Sequence, residues 1–344
     1  MRQVTGSVVC SAVKQVQACG GSLWVNRTQG VPKEALQHQC VLFLKPEVIS
    51  TPGAHVEQAV DAALSIVDKY ATIGGVRVMT GDYLSRYGIM EKHYGVIADV
   101  FHEGDIALTE SARRKLQEHV LESEHEYDAI VSGSQLLADY PEDFHALPAN
   151  GSFRLGPGQY ADDVLLGDGR RVIALNSFYD RMTASYRGKD QAIVVFELLS
   201  LKPWQQLRQC MTGSTDPTTA VLGSIRRMLF DRSEELGLGA MGRSRNGVHC
   251  SAGPLEAMVE HQRFFGTGEE KEIGVLDTCF GNYMDHLQPR ELVILAQNVP
   301  ILLPNGENTT SFDATEEMDS AQAKELLDAS VKMRHGDKWV HLCE

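Results

Sequence analysis

The chain has 344 residues, of which 43% are hydrophobic, so it can bury a large core and could hold two ordinary domains. Its formal net charge of −14 argues against general binding to nucleic-acid backbone, which needs clustered lysines and arginines. Seven scattered cysteines indicate a reducing compartment, and no apolar run approaches the length of a membrane span. We therefore expect a cytoplasmic globular protein that binds neither nucleic acid nor membranes.

Strand and helix patterns alternate in the first hundred residues. The apolar run VLFLK (41–45) predicts a buried strand that ends in a charged residue, Lys45. Apolar residues at helical spacing over 56–67 predict a helix, and GGVRVMT (74–80) predicts a second strand. YLSRYGIMEKHYG (83–95) then returns to helical spacing. This alternation is typical of a compact α/β domain.

A block of different character occupies about 101–175. It begins with a charged helix, SARRKLQEHVLESEHEY (111–127), whose predicted apolar face contains Ala112, Leu116 and Val120. A Gly-, Pro- and Asp-rich segment then predicts turns and short hairpins.

Three aspartates in this block, Asp162, Asp163 and Asp168, could be ligands of a hard cation. Carboxylates beside glycines are more often turn residues, so we expect turns here and no metal site.

The second half of the chain supplies another strand, AIVVFELL (192–199), followed by a predicted helix, WQQLRQCM (204–211). Residues 246–265 predict a turn and then a helix that begins near Pro254, because proline suits a first helical turn. Beyond 266 come an apolar stretch, a polar loop and a last helix.

The segment NGVHCSAGPLEAMVE (246–260) places His249 between a glycine turn and a helix. A neutral imidazole is a good nucleophile toward phosphorus when its other nitrogen is held by a hydrogen bond, which Glu260 could accept. Phosphoryl transfer also needs cations around the phosphate oxygens, and Lys45, Arg226 and either Arg208 or Arg227 are candidates. Taken alone, such a histidine is more often a structural loop residue.

The same segment resembles the active-site segment of nucleoside diphosphate kinases, which contains Asn-x-x-His-x-Ser and a later glutamate. LFLKPEVI (42–49), MEKHYG (90–95) and TDPTTAVLGSIR (215–226) resemble further segments of that family and occur in the family's order. NSFYDRM (176–182) fits the family's base clamp. The resemblance covers roughly 170 residues.

The resemblance implies an α/β (α+β) fold, built on a ferredoxin-like βαββαβ antiparallel sheet with an inserted subdomain. The family-like core would comprise 41–97 and 173–265. Residues 1–40 would be an N-terminal extension, 98–172 an insertion and 266–344 a C-terminal extension.

The resemblance also implies roles for individual residues. His249 would carry the phosphoryl group and Glu260 would orient it, while Ser251 would support the histidine loop. Arg208 corresponds to a family arginine only if one residue is inserted before Thr215. The remaining catalytic residues would be Lys45, Tyr94 and Asn246, and the nucleotide-binding residues would be Phe178, Met182, Arg208, Thr215, Arg226 and Ser251.

The implied activity is ping-pong transfer of the γ-phosphate of a nucleoside triphosphate through His249 to a nucleoside diphosphate or related acceptor. Mg²⁺ would arrive with the nucleotide, and the protein would form a homo-oligomer, a dimer or larger. Two alternatives stay open. The scaffold could be diverted to phosphoryl or nucleotidyl transfer onto a specialised small-molecule acceptor, or it could bind nucleotides without turnover. Two neighbours of the histidine, Cys250 and Ala252, depart from the family's pattern, and we expect Cys250 to be a packing residue.

Overall fold

The computed structural model describes residues 4–27, 38–147, 149–268, 270–329, 332–335 and 338–341. Parts of the two expected extensions, including 28–37 and 342–344, lie outside the described residues. Within the described ranges, the structure is a mixed α/β fold with three sheets.

The described strands, in chain order, are β1 (Ser22–Arg27), β2 (His38–Leu44), β3 (Thr72–Thr80), β4 (Ala129–Ser132), β5 (Ala149–Gly156), β6 (Gln159–Leu165), β7 (Arg171–Leu175), β8 (Ala192–Ser200), β9 (Val248–Cys250), β10 (Pro300–Leu302), β11 (Asn308–Thr310), β12 (Lys332–His335) and β13 (Lys338–His341).

The described α-helices are α1 (Gly6–Cys19), α2 (Pro46–Ile49), α3 (Val56–Val67), α4 (Gly81–Arg86), α5 (Ile89–His93), α6 (Gly95–Glu103), α7 (Glu110–Glu122), α8 (Gly133–Asp139), α9 (Tyr179–Ala184), α10 (Ile225–Asp231), α11 (Pro254–Phe265), α12 (Cys279–Tyr283), α13 (Pro289–Leu295), α14 (Ser311–Thr315) and α15 (Ser320–Asp328). A π-helix spans Gln206–Thr212.

The chain divides into two compact units. The first comprises Met1–Ile89 and Tyr186–Glu344, and the second comprises Met90–Ser185. The expected separation into a family-like core, an insertion and two extensions concerns correspondence with other proteins, so it stays a prediction.

The main sheet of the first unit has the strand order β1-β3-β8-β2-β9, and every neighbouring pair is antiparallel. Its strands β2, β3 and β8 confirm the strands predicted near 41–45, 74–80 and 192–199. All seven residues of β2 are buried. Helices α1 and α3 contribute their apolar faces to the same core, so the sheet is a rigid support for the segments that follow its strands.

Helix α11 is covered on one side by the C-terminal part of the chain. Leu255 and Met258 of this helix belong to an apolar cluster that also contains Leu292, Leu295 and Ile301. The burial of Met258 and of Phe264 agrees with the expectation that these residues pack inward. Residues beyond 266 therefore help to fix the position of α11.

Two predicted helices differ in detail from the structure. The helical pattern at 83–95 is divided between α4 and α5, because Gly88 between them has a left-handed φ of 60° that interrupts the helix. The segment WQQLRQCM forms mostly a π-helix, which spacing of apolar residues does not distinguish from an α-helix.

The second unit has its own sheet, with the order β4-β7-β6-β5. The β4–β7 pair is parallel and the other pairs are antiparallel. The expected charged helix is α7, and it buries Ala112 and Leu116 as predicted.

The expectation that the three aspartates of this unit lie in turns is wrong for two of them. Asp162 and Asp163 lie within β6 and are buried, while Asp168 lies in the turn that precedes β7. Asp163 forms an ion pair with Arg171 at 2.6 Å, so a strand position is compatible with its charge.

Among the described residues, no helix is both long enough and apolar enough to cross a membrane.

Candidate active site

His249 lies in the middle of β9, a short strand at the edge of the main sheet. It pairs with Phe43 of β2, and the two rings stack at a centroid distance of 4.6 Å. The turn before it is fixed at Gly247, whose φ of 79° suits glycine. The Gly247 N–H donates to Glu47 Oε1 at 3.0 Å, and its carbonyl accepts from the Lys45 N–H at 2.9 Å. The turn therefore places Lys45, which follows β2, beside the beginning of β9.

The imidazole of His249 is held by Glu260 of α11. The distance from His249 Nε2 to Glu260 Oε1 is 2.7 Å, and the glutamate side chain is fully buried. The second carboxylate oxygen accepts from the Ser251 hydroxyl at 2.5 Å. That hydroxyl also accepts from the Val41 N–H at 3.0 Å. A proton on Nε2 would be donated to Glu260, which leaves the lone pair of the imidazole on Nδ1.

Four cations act on the imidazole. Burial lowers the pKa of His249 well below its usual 6.5, and the positive charges of the four cations lower it further. His249 is therefore neutral near pH 7, as a nucleophile requires. In decreasing order of effect, the cations are Lys45, Arg208, Arg226 and Arg263.

Arg263 was not singled out from the sequence. It lies three residues after Glu260 on α11, so one helical turn separates the two positions. Burial lowers the pKa of Arg263, whereas the charges of Glu260 and Glu256 raise it. The sequence feature that could have identified Arg263 is its i, i+3 spacing from Glu260.

Two arginines hold the strand of His249 on either side of it. Arg226 donates from Nε and Nη2 to the Val248 carbonyl, at 3.3 and 3.1 Å, and from Nη1 to Gly213 O at 2.7 Å. Arg208 donates from Nη1 to the Cys250 carbonyl at 2.8 Å. A guanidinium has five N–H groups, so each arginine retains hydrogens for an anion. Burial and the charge of Arg208 lower the pKa of Arg226 to about 10, which still leaves it charged at pH 7.

A second carboxyl group, Glu256, lies one helical turn before Glu260. Burial raises the pKa of Glu256 to about 8, and the charge of Glu260 contributes. Burial also raises the pKa of Glu260 to about 7, although hydrogen bonds from Ser251 and Glu256 oppose this rise. A protonated Glu256 that donates to an ionised Glu260 agrees with the raised pKa of Glu256 and with the hydrogen bond that limits the rise of the Glu260 pKa.

Asn246 connects the histidine turn with neighbouring loops. It is buried, and its Nδ2 donates to the carbonyls of Thr215 and Arg243, both at 3.2 Å. Because these contacts use both amide hydrogens, the predicted donation to a phosphoryl group would require one of them to exchange. Its Oδ1 is buried without a hydrogen-bond partner among the described residues. Thr215 itself is exposed.

The other three predicted site residues belong to the second unit. Tyr94 precedes α6 and packs, like Met182, against an apolar cluster of that unit. Phe178 lines a cavity of about 210 Å³ in the same unit, together with Phe144 and Asp162. The roles expected for Tyr94, Phe178 and Met182 stay predictions.

Cys250 has a neighbour that the sequence did not indicate. Its thiol and that of Cys40 form a hydrogen bond, which raises the pKa of Cys40 and lowers that of Cys250. Both side chains are fully buried, in agreement with the expected packing role.

Comparison with solved structures finds similar chains, and one of them is an NDP kinase. A solved structure of an NDP kinase from Pyrobaculum aerophilum is similar to this chain at 18% identity, with a TM-score of 0.31. The match covers 67% of this chain and 96% of that one. No protein-family model and no curated protein matches the chain. A likeness this low carries no argument, so the chemistry must be inferred from the contacts of the site.

Proposed function

We propose that this protein is a phosphotransferase that carries a phosphoryl group on Nδ1 of His249. The observation that carries the proposal is the 2.7 Å contact between His249 Nε2 and Glu260, in a site where four cations lower the histidine pKa. A neutral imidazole held by a carboxylate suits nucleophilic attack, and the cations suit the charge of a phosphoryl group. A structural histidine would not require these cations.

In the proposed first half-reaction, the Nδ1 lone pair attacks the γ-phosphorus of a nucleoside triphosphate. A P–N bond forms, the bond from phosphorus to the bridging oxygen breaks, and the nucleoside diphosphate leaves with the electron pair. The Nε2 proton stays in the hydrogen bond to Glu260, which stabilises the positive charge that develops on the ring. Lys45 and the arginines neutralise the phosphate oxygens. The second half-reaction reverses these steps onto the acceptor diphosphate.

Magnesium would enter as part of the substrate, bridging the phosphates of the nucleotide. The side chains near His249 support this expectation. Glu260 is engaged by the histidine and by Ser251, so both of its oxygens already have hydrogen-bond partners. A site dominated by cations suits phosphate better than a resident divalent ion.

The finer expectations from the resemblance are part of the same proposal. They are the ferredoxin-like core with its insertion, the nucleotide-binding roles of Thr215, Phe178 and Met182, a homo-oligomer and a cytoplasmic location.

The decisive test is to incubate the full-length protein with γ-labelled ATP and Mg²⁺ in the absence of an acceptor. We expect a phosphoprotein that is labile to acid and stable to alkali, and that transfers its label to added nucleoside diphosphates. Substitution His249→Ala should abolish the label because the nucleophile is removed. His125→Ala is the matched control, since His125 is an exposed histidine of the second unit.

A label that survives His249→Ala would contradict the assignment. Nucleotide binding without any phosphoprotein would favour a module that binds without turnover. A normal phosphoprotein that transfers only slowly to nucleoside diphosphates would instead favour the diverted enzyme with a specialised acceptor.

A further inference from the structure

A segment near the C-terminal end, Thr315–Glu317, lies directly against the histidine loop. The Glu317 N–H donates to the Ala252 carbonyl at 2.9 Å. The approach is so close that a Cβ built on Gly253 would lie 2.4 Å from the Thr315 carbonyl oxygen. Glycine at this position therefore allows the contact, which joins residues more than sixty positions apart in the sequence.

This segment brings two carboxylates to Arg208. Glu316 Oε1 lies 3.6 Å from Nη2 of Arg208, and Glu317 Oε1 lies 3.9 Å from its Nε. Both distances exceed those of a charge-assisted hydrogen bond, which is about 2.7–2.9 Å. Accordingly, Arg208 Nε is buried without a hydrogen-bond partner in the part of the chain that the structure describes. The guanidinium is thus electrostatically paired, and its Nη groups retain hydrogens for an anion, because the side chain is 20% exposed and one of those hydrogens binds Cys250 O.

The backbone of Glu317 has an unusual conformation for its residue type. Its φ is 56°, in the left-handed region where a non-glycine residue is disfavoured. The bond from its N–H to Ala252 and the bond from Gln209 Nε2 to its Oε2, at 3.0 Å, hold it there. Strained residues of this kind tend to cluster at functional sites. The hydrogen bond to Ala252 thus connects this segment with the histidine loop.

We propose that Glu316 and Glu317 are an internal competitor of the substrate phosphate at Arg208, and that they determine how tightly the site binds nucleotide. This inference rests on the proposed phosphotransferase function. Arg208 faces the carboxylates in the free protein and exchanges them for phosphate oxygens when nucleotide binds, because phosphate can make the short hydrogen bonds that the carboxylates do not. The two nearby negative charges then repel the bound phosphates, which weakens binding and favours release of the diphosphate product.

The test compares the wild-type full-length protein with the double variant Glu316→Gln/Glu317→Gln. The amides keep the size of the side chains and remove both charges. We expect the KM for MgATP in phosphoprotein formation and the Kd for ADP to fall about five- to tenfold, without an increase in kcat. Glu325→Gln is the control, because it removes one exposed charge of α15 and should leave both constants unchanged.

The single variant Glu316→Gln covers the case in which the double variant does not fold. Among the described residues, Glu316 forms an ion pair with Arg208, and its side chain is 48% exposed. The Glu316→Gln substitution should lower the Kd for ADP about two- to threefold. Thermal unfolding of each variant verifies that it is folded.

A Kd for ADP that is unchanged or higher in the folded variants would overturn the inference. That outcome is distinct from failure of the proposed function, which would appear as absence of a phosphoprotein in the wild type.

Discussion

At the scale of single residues, the site depends on which ring nitrogen of His249 carries the proton. Glu260 contacts Nε2 and is itself held by Ser251, so Nδ1 is the nitrogen that would attack phosphorus in the proposed reaction. The lowered pKa of His249 keeps the ring neutral near pH 7, and Glu260 in its ionised form, which it takes above its pKa of about 7, selects the tautomer with the proton on Nε2. The orientation of the His249 ring and its tautomer contribute separately to its reactivity, and a substitution of Glu260 can distinguish the two.

Glu260→Gln should preserve the packing and remove the tautomer control. The amide can present its NH₂ group to Nε2, which then becomes an acceptor, and the ring proton moves to Nδ1. We expect the rate of phosphoprotein formation to fall by about 100-fold or more, with little change in the Kd for ADP. Rapid-quench measurement of the label at saturating MgATP gives this rate.

Glu256→Gln is the matched control for that prediction. It substitutes the neighbouring carboxyl group of the same helix, which supports Glu260 but does not contact the ring in any described interaction. Its effect on the rate should be much smaller. A Glu260→Gln protein that forms phosphoprotein within threefold of the wild-type rate would show that the carboxylate does not select the tautomer.

At the scale of elements, the histidine is positioned by a turn and not by a long strand. Strand β9 has three residues and, among the described strands, pairs with β2 alone. Its geometry is therefore determined by the turn at Gly247 and by the arginines that bind the carbonyls of Val248 and Cys250. Two of the predicted phosphate-binding residues thus also have a structural role.

Gly247→Ala should disturb this turn. A Cβ at residue 247 would lie 2.5 Å from Leu229 Cδ1 and 3.0 Å from Val48 Cγ2, and its φ of 79° disfavours any side chain. We expect the free energy of unfolding to fall by about 1–3 kcal/mol and phosphoprotein formation to slow. Urea unfolding followed by circular dichroism measures the first effect.

Gly242→Ala is the control, because a Cβ there would meet no atom within 4 Å and its φ is not left-handed. If the two alanine variants were equally stable, the turn at Gly247 would not determine the position of His249.

The sequence predicted the local parts of this arrangement. The apolar runs at 41–45, 74–80 and 192–199 are strands of the main sheet, because continuous burial leaves a clear pattern. The candidate pair His249 and Glu260 also followed from sequence, and the structure brings the two into contact.

What the sequence did not predict depends on long-range contacts or on subtle backbone geometry. The π-helix that presents Arg208 has nearly the same apolar spacing as an α-helix. The contact of Glu316 and Glu317 with Arg208 joins distant segments, and no local pattern records it. Arg263 was overlooked because a charged residue on an amphipathic helix is normally a solvated one.

At the scale of the whole molecule, charge is distributed unevenly. The chain carries a formal charge of −14, yet the charged groups that shift the pKa of the buried His249 are four cations, and Glu256 and Glu260 have raised pKa values. Under the proposed function, the cations around His249 attract the phosphate to this site despite the negative net charge of the chain. Ionisation of the buried carboxyl groups in this site costs free energy, because burial disfavours their charged form.

The cost of ionising these buried carboxyl groups should appear in the pH dependence of the free energy of unfolding. The pKa of Glu256 is raised to about 8 in the folded protein, above its ordinary value of 4.5. Between those values the folded state holds a proton that the unfolded state has released, so this group's stabilising contribution is complete below about pH 4.5 and is lost as the pH rises toward 8. Glu260, with a pKa of about 7, acts in the same direction.

The difference in unfolding free energy between wild type and Glu256→Gln isolates this contribution, since the background titration of other groups cancels. The wild type should lose stability relative to the variant as the pH is raised from about 5 to 8, with a slope of up to about 1.4 kcal/mol per pH unit. Urea unfolding at several pH values measures the difference. The unfolding free energy of the Glu325→Gln control should depend on pH in the same way as that of the wild type, because Glu325 is exposed. If the unfolding free energy of Glu256→Gln also followed that of the wild type at every pH, Glu256 would already be ionised in the folded protein. Glu256 and Glu260 would then share no proton.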